Sequence, residues 1–254
     1  MTLKDRERPQ GSPRAQRETA PQRAPGAFLS RLAALDGQQA TTLRLRQRQR
    51  ITLPPAQEDL VFAVQSGVLT SRLEMPGSDT GLIAVYFPGD VVTAGGLPCL
   101  AERSLVAATP AETLRLKAKP LMRLLASDAE LLAAYDRQRD RQQARALLHA
   151  VILAGLDGPQ RFAAFLIEMA LEVGVSAGTA ISIELPLSRT EIARYLALNA
   201  DTLSRLMSRF KADGLVTQNR RHQISLRNWR AIIDLCPISP AIMAIERNRP
   251  SPFS

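Results

Sequence analysis

Asp201, Ser204, Arg205 and Ser208 recur at i, i+3, i+4 and i+7. On a helix those positions share one face. Their chemistry suits the edges of DNA bases. An Arg fork bonds guanine O6 and N7 together, a carboxylate accepts from cytosine N4, and a Ser hydroxyl serves either way. Leu203, Leu206, Met207 and Phe210 take the complementary positions and form an apolar stripe. The pattern predicts a helix with one side for a core and the other for a groove. Asn199 is a good N-cap for it, and Asp201 in its first turn suits the helix dipole.

The flanking residues are the elements that must position this face. Ser188, three residues before Glu191, is a capping box, so a shorter helix is predicted to start there with Ile192, Ala193 and Leu196 inward. Two short helices joined by a tight turn describe a helix-turn-helix. Asp213-Gly214 turns the chain into Leu215 to Gln218. Asn219-Arg220-Arg221-His222 forms a tip, and Gln223 to Leu226 returns. That is a β-hairpin wing with a basic end, suited to phosphate. Ser188, Arg189, Thr202, Ser208, Arg209, Arg220 and Arg221 are the candidates for backbone contact. Upstream, Pro159 opens a helix from Gln160 to Val173, closed by Gly174, with Phe162, Phe165, Leu166 and Met169 as core. Trp229, Ile232 and Leu235 cover the domain from behind, and the residues after Pro237 are expected to be a loosely held tail.

Charge agrees with a polyanion partner. The 254 residues hold 33 Lys plus Arg against 24 Asp plus Glu, a net charge of +9. Between Ser188 and Arg230 nine basic residues face three acidic ones, so the excess is concentrated at the predicted reading head. No apolar run is long enough to span a membrane, and the N-terminus lacks a signal-peptide core. Cys99 and Cys236 lie far apart and read as free thiols of a cytoplasmic protein. The length allows two modest domains.

The first half has a different period. Residues 1 to 26 carry four prolines and six basic residues with little that is apolar, the composition of a disordered leader. Phe28 to Leu35 is a short amphipathic helix. From Thr41, Leu43, Leu45, Ile51 and Leu53 alternate with Arg44, Arg46, Arg48 and Arg50, which predicts one strand with a basic outer face, ended by Pro54-Pro55. Further short strands follow at Leu60 to Val64, Val68 to Leu73, Leu82 to Phe87, Ser104 to Ala107 and Glu112 to Leu116. Turns at Ser66-Gly67, Pro76-Gly77 and Pro88-Gly89-Asp90 separate the earlier ones. This is the pattern of an antiparallel barrel or jelly roll. Ser127 to Leu156 then reads as one long helix, with Leu131, Tyr135, Gln138, Gln142, His149, Ile152 and Leu156 as its seam. A helix-turn-helix reads two half-sites when paired, so this seam is the expected homodimer contact.

The run Leu185-Pro186-Leu187-Ser188-Arg189-Thr190-Glu191-Ile192-Ala193, then Asp201-Thr202-Leu203-Ser204-Arg205, then Asp213-Gly214-Leu215-Val216, resembles the DNA-binding module of the Crp/Fnr transcription regulators. Ser66-Gly67, Pro88-Gly89-Asp90 and Glu102-Arg103-Ser104 resemble that family's cyclic-nucleotide-binding-like β-roll. Ala197 departs from the family's Gly before the turn, and Asp201 from its usual Glu. The resemblance implies an α+β fold. Its parts are a leader (1–27), a β-roll sensor (28–126), a dimerisation helix (127–156), a winged helix-turn-helix (157–235) and a C-terminal tail (236–254). It implies double-stranded DNA as partner and a homodimer, with RNA polymerase as a further expected contact and no membrane role. It also implies Asp201, Ser204 and Arg205 as readers of a TTGAT-like half-site, as in the Fnr branch.

The effector is not legible. Arg103-Ser104 matches the family's phosphate-binding pair and is the candidate effector pocket. Thr93-Ala94-Gly95-Gly96, however, lacks the acidic partner for a ribose, so cyclic AMP is not expected. The first 98 residues hold no cysteine, which excludes the N-terminal four-iron cluster of the oxygen-sensing branch. No cofactor is expected. A metal-dependent barrel enzyme is excluded by the lack of any His in the barrel region. The remaining alternative, a ligand-binding module that does not read DNA, leaves Asp201, Ser204, Arg205 and the basic wing without a purpose.

Overall fold

The computed structural model describes residues 27–33, 40–53, 59–74, 81–93, 102–220 and 222–246. The predicted leader, Pro54-Pro55, Pro76-Gly77, Ala94 to Gly96, Cys99 and Arg221 lie outside them.

The N-terminal half is a roll of two four-stranded antiparallel sheets preceded by α1 (Ala27–Ala33). β1 (Ala40–Leu45), β8 (Ala111–Lys117), β3 (Leu60–Ser66) and β6 (Val91–Thr93) form one sheet in the order β1-β8-β3-β6. β2 (Arg50–Leu53), β7 (Glu102–Ala107), β4 (Leu69–Glu74) and β5 (Gly81–Tyr86) form the other, in the order β2-β7-β4-β5. Leu45, Leu53, Phe62, Val64, Leu69, Val92 and Leu105 fill the space between the sheets. Gly67 makes the β3–β4 turn at φ +76, and a Cβ there would lie 2.2 Å from the Pro110 carbonyl. Both constraints require glycine.

The stretch 41–53 is not one strand. It breaks at residues 46–49, where Arg48 adopts φ +70, and its halves join different sheets: β1 pairs with β8, and β2 with β7. An even number of residues sits in this corner, so the alternation of Leu45 and Ile51 passes through it in phase. Period-two patterning cannot reveal such a break.

After the roll, α2 (Ala118–Ser127) precedes α3 (Ala129–Gly155). Asp128 divides them, its side chain accepting from the Leu131 N–H at 3.0 Å. The sequence reading missed α2, whose Leu121 and Leu125 are buried against the roll.

The predicted seam of α3 also needs correction. Leu131 and Tyr135 are buried against α1, α2 and the roll. The Gln138 amide donates to Asp90 at 2.7 Å, and the Gln142 amide bonds both backbone groups of Val91. His149 stacks on Tyr195 at 4.0 Å, and Ile152 lies in the C-terminal core. That face therefore packs within the chain. A different face, with Leu132, Gln143, Ala146, Leu147, Ala150, Val151 and Ala154, is exposed. Both faces obey the helical period, so spacing alone could not choose between them.

The C-terminal half is built on α4 (Gly158–Val173), opened by a capping box of Asp157 and Gln160. A hairpin of β9 (Gly174–Ala177) and β10 (Ala180–Glu184), absent from the sequence reading, follows. Then come α5 (Arg189–Tyr195), α6 (Ala200–Ala212), the wing strands β11 (Val216–Arg220) and β12 (Gln223–Leu226), and α7 (Trp229–Leu235). The sheet order is β11-β12-β10-β9. Leu235 is 38 % exposed rather than a cover, while Ile232 is buried. Residues 239–246 are not a loose tail, and 247–254 lie outside the described residues. α8 (Ser239–Glu246) packs on α3 and α4 through Ile242. Its eight residues, mostly apolar and with Pro240 in the first turn, carry too weak a period to separate a helix from a tail.

The halves share a core. Val68, Val85, Phe87 and Ala108 of the roll belong to the same packed cluster as α4, α5 and α6, and α5 lies across β5. Beneath this contact is an ionic hub. Asp90, fully buried, accepts from Arg141 and Arg145 at 2.9 Å each and from the Gln138 amide and the Phe87 N–H. The same arginines reach Glu172 at 3.0 and 3.4 Å, and Arg145 reaches Glu168 at 3.4 Å. Burial disfavours charge on Arg145. The Asp90, Glu172 and Glu168 carboxylates outweigh it and hold the guanidinium well above its usual value.

Candidate nucleic-acid interface

α5 and α6 begin as their sequences dictate. The Glu191 N–H donates to Ser188 Oγ at 3.3 Å, and the Ser188 N–H to Glu191 Oε2 at 2.8 Å, which completes the capping box. The Thr202 N–H donates to Asn199 Oδ1 at 2.6 Å. Between the helices Ala197 adopts φ +50, the left-handed conformation that favours glycine. The Leu198 N–H then donates to the Ala193 carbonyl at 2.8 Å.

Arg161 of α4 secures this turn, a role the sequence did not signal. Its guanidinium donates to the carbonyls of Leu196 (3.1 Å), Leu153 (2.9 Å) and Leu156 (2.8 Å). One side chain thus ties the C-terminal end of α3 to the turn. The only cue was an arginine in the first turns of a helix whose neighbours are apolar.

The structure brings the predicted reading residues together. Leu203, Leu206, Met207 and Phe210 are buried, with Phe210 edge-on to Phe162 at 4.9 Å. Asp201, Ser204, Arg205, Ser208 and Arg209 are exposed on the opposite side. Ser204 Oγ donates back to the Ala200 carbonyl at 2.9 Å, and Ser208 Oγ to that of Ser204 at 3.1 Å. Both hydroxyls keep acceptor capacity towards solvent. Asp201 and Arg205 have no ion-pair partner among the described residues, whereas Arg209 reaches Asp213 at 3.6 Å.

Of the backbone candidates, Ser188 sits at the N-terminus of α5 and Thr202 is half-buried in the first turn of α6. Arg220 is exposed near the wing tip. Gln218, which sequence reasoning did not single out, links three elements. Its carbonyl oxygen accepts from Lys211 Nζ at 2.6 Å and from Arg189 at 3.3 Å, and its amide donates to the Arg220 carbonyl at 3.1 Å. Cationic groups from α5 and α6 thereby gather on the wing, a surface suited to phosphate.

The candidate effector pair is not assembled. Arg103 and Ser104 are neighbours on β7, so the pleat sends them to opposite faces. Arg103 donates to Ser71 Oγ, the Thr93 carbonyl and the Tyr86 hydroxyl, each at 2.9 Å. The Ser104 hydroxyl is buried without a partner among the described residues. Burial pushes the Tyr86 phenol above its ordinary value, against the lowering effect of Arg103, so it stays a neutral hydrogen-bonding group. Cys236 is buried, and burial raises its thiol pKa. Among the described residues no cluster of three or more His, Cys, Asp or Glu could hold a metal, and no helix is long and apolar enough to cross a membrane.

Residues 160–235 match the Crp-like helix-turn-helix domain. The chain is 27 % identical over 164 residues to the transcriptional regulatory protein btr of Bordetella pertussis, covering 64 % of this chain and 68 % of that protein. It is 30 % identical over 160 residues to the transcriptional activator protein FnrA of Stutzerimonas stutzeri, covering 61 % and 64 %. Its fold is similar to FixK2 of Bradyrhizobium japonicum, with a TM-score of 0.66 at 24 % identity over 78 % of this chain and 97 % of that one. It is also similar to a CooA mutant of Carboxydothermus hydrogenoformans, with a TM-score of 0.67 at 20 % identity over 82 % and 94 %. The capped helix pair, its exposed polar face, the wing and the preceding β-roll agree with these matches: the chain carries a Crp-like helix-turn-helix domain and is similar to transcription regulators of the Crp/Fnr type.

Proposed function

We propose that this regulator binds, as a homodimer, a palindrome resembling TTGAT-NNNN-ATCAA. The observation that carries the reading is the face of α6. Asp201 and Arg205 stand exposed, without an ion pair among the described residues, on a helix whose other side is fixed in the core. Arg205 is assigned to guanine O6 and N7, Asp201 to cytosine N4 and Ser204 to a neighbouring edge. Ser188, Arg189, Thr202, Ser208, Arg209, Arg220 and Arg221 are assigned to the phosphates.

The dimer contact is assigned to the outer face of α3, because the face with Leu131, Tyr135, Gln138 and Ile152 packs within the chain. Leu147 is 63 % and Val151 50 % exposed, with small Ala146, Ala150 and Ala154 between them. This apolar stripe has the helical spacing that pairs two copies. The work is non-enzymatic and cytoplasmic, with RNA polymerase as the expected further partner. The separation of Arg103 from Ser104, and the engagement of Arg103 by Ser71 and Tyr86, support DNA binding that is independent of cyclic AMP.

Binding-site selection from random duplexes tests the reading, with light scattering on the free and bound protein. A two-fold symmetric consensus with a central guanine in each half-site, bound by two chains, is expected. Selection of no such motif, or a single chain on the DNA, overturns it.

A further inference from the structure

Among the described residues, an ion pair apart from the hub joins the roll directly to the reading head. Arg72 of β4 donates from Nη2 to Glu191 Oε1 at 2.5 Å. Glu191 is the capping-box residue of α5, and its other oxygen, Oε2, accepts the Ser188 N–H at 2.8 Å. One carboxylate therefore has two tasks: it closes the N-terminus of the first helix and anchors that helix to the roll. Both partners are about a quarter exposed, and Arg72 Nε is buried without a hydrogen-bond partner. The Glu191 contact is thus what offsets the partial desolvation of this guanidinium. Ser188 and Arg189, at the same helix end, are assigned above to phosphate.

We infer that Arg72 is a positioning residue for DNA reading. Acting through Glu191, it fixes the angle of the helix-turn-helix on the roll and so the separation of the two reading helices in a dimer. The inference rests on the dimeric reading of a palindrome proposed above. A head that is correctly folded but free to swivel still reads one half-site. It loses the ability to discriminate between spacers, because both heads must reach their grooves at once. Loss of Arg72 should therefore leave the half-site code intact and relax the spacing rule.

Gln at 191 still accepts the Ser188 N–H but loses the charge, so Glu191→Gln separates the anchor from the cap. Wild type, Arg72→Gln, Glu191→Gln and the double variant would be titrated onto palindromes with the preferred spacer, one base shorter and one base longer, and onto a single half-site. Thermal unfolding would be followed in parallel. For either single variant, the expected result is weakening of about three- to tenfold on the preferred spacer. The penalty for wrong spacers should shrink, single half-site affinity should stay unchanged, and the double variant should be no worse than either single one. A wild-type spacer profile in both single variants, or equal weakening on palindrome and half-site, overturns the role of Arg72. If wild type itself binds none of the palindromes, the reading of the preceding section fails instead.

Discussion

In the hub, Arg141 and Arg145 face Asp90, Glu172 and Glu168 with almost no access to water; on α6, Arg205 and Asp201 stand in solvent without a charged partner among the described residues. The residue types are the same and their uses are opposite. Buried charge must be matched inside the chain, because desolvation of an unmatched ion costs several kcal/mol. Asp90 accordingly has all its acceptor sites engaged by the two arginines, Gln138 and the Phe87 N–H. The exposed pair bears no such cost and remains available to a duplex. In this protein, charge pairing marks the groups that hold the halves together, and its absence marks those proposed to meet DNA.

The largest test removes the hub's centre. Asp90→Ala leaves Arg141 and Arg145 to share the Glu172 carboxylate, with Glu168 on Arg145, and strips the Phe87 N–H and the Gln138 amide of their acceptor, so a loss of about 3–5 kcal/mol is expected in urea unfolding. A loss within about 0.5 kcal/mol, the range of ordinary surface changes, would erase the distinction between the regions.

A pH titration probes the same buried contact. Burial lowers His149, stacked on Tyr195, from 6.5 to about 4, against a small raising effect from the Tyr195 backbone. The folded state binds this proton less readily than the unfolded chain. Stability is therefore fully present above pH 6.5 and falls as pH drops towards 4, by roughly 3 kcal/mol in all. His149→Phe keeps the ring stack and cannot take up the proton. The difference between wild type and this variant should widen across that window, and parallel stability profiles would show that His149 is not the group responsible.

On the exposed side, Arg205→Ala should cost about 1–3 kcal/mol of binding per half-site and relax the preference at the guanine. Its midpoint of unfolding should match wild type. Arg220→Ala should weaken all sequences alike and lower the slope of affinity against salt by about one unit. An identical footprint of the two variants on selected sites would remove the division between base reading and phosphate holding.

The smallest effect lies at the turn. Ala197→Gly relieves a left-handed alanine and should stabilise the protein by about 1 kcal/mol, less the extra freedom that glycine gains when unfolded. Thermal unfolding would show it, and a lower midpoint would mean that the alanine methyl packs usefully.

The reading head was legible because its local signals agree. Ser188, Asn199, the apolar stripe and Asp213-Gly214 each fix a boundary or a face without help from distant residues. The corner at residues 46–49 was not legible, because alternation continues through it in phase. The choice of face on α3 was also hidden. Gln138, Gln142 and Arg145 look like surface residues until the fold brings Asp90, Val91 and Glu172 against them. The split of Arg103 from Ser104 became visible only once β7 was seen to run through both residues. Arg72 and Glu191 are 119 residues apart, and no local pattern joins them.

The placement of α5 across β5 bears on how the roll would behave alone. β5 is the last strand of its sheet, and the helix-turn-helix covers it together with Val85 and Phe87. Without the head, that strand would present unpaired N–H and C=O groups beside an apolar face, a ready template for pairing with another copy. A fragment cut before α4 should therefore associate edge to edge and come out of solution.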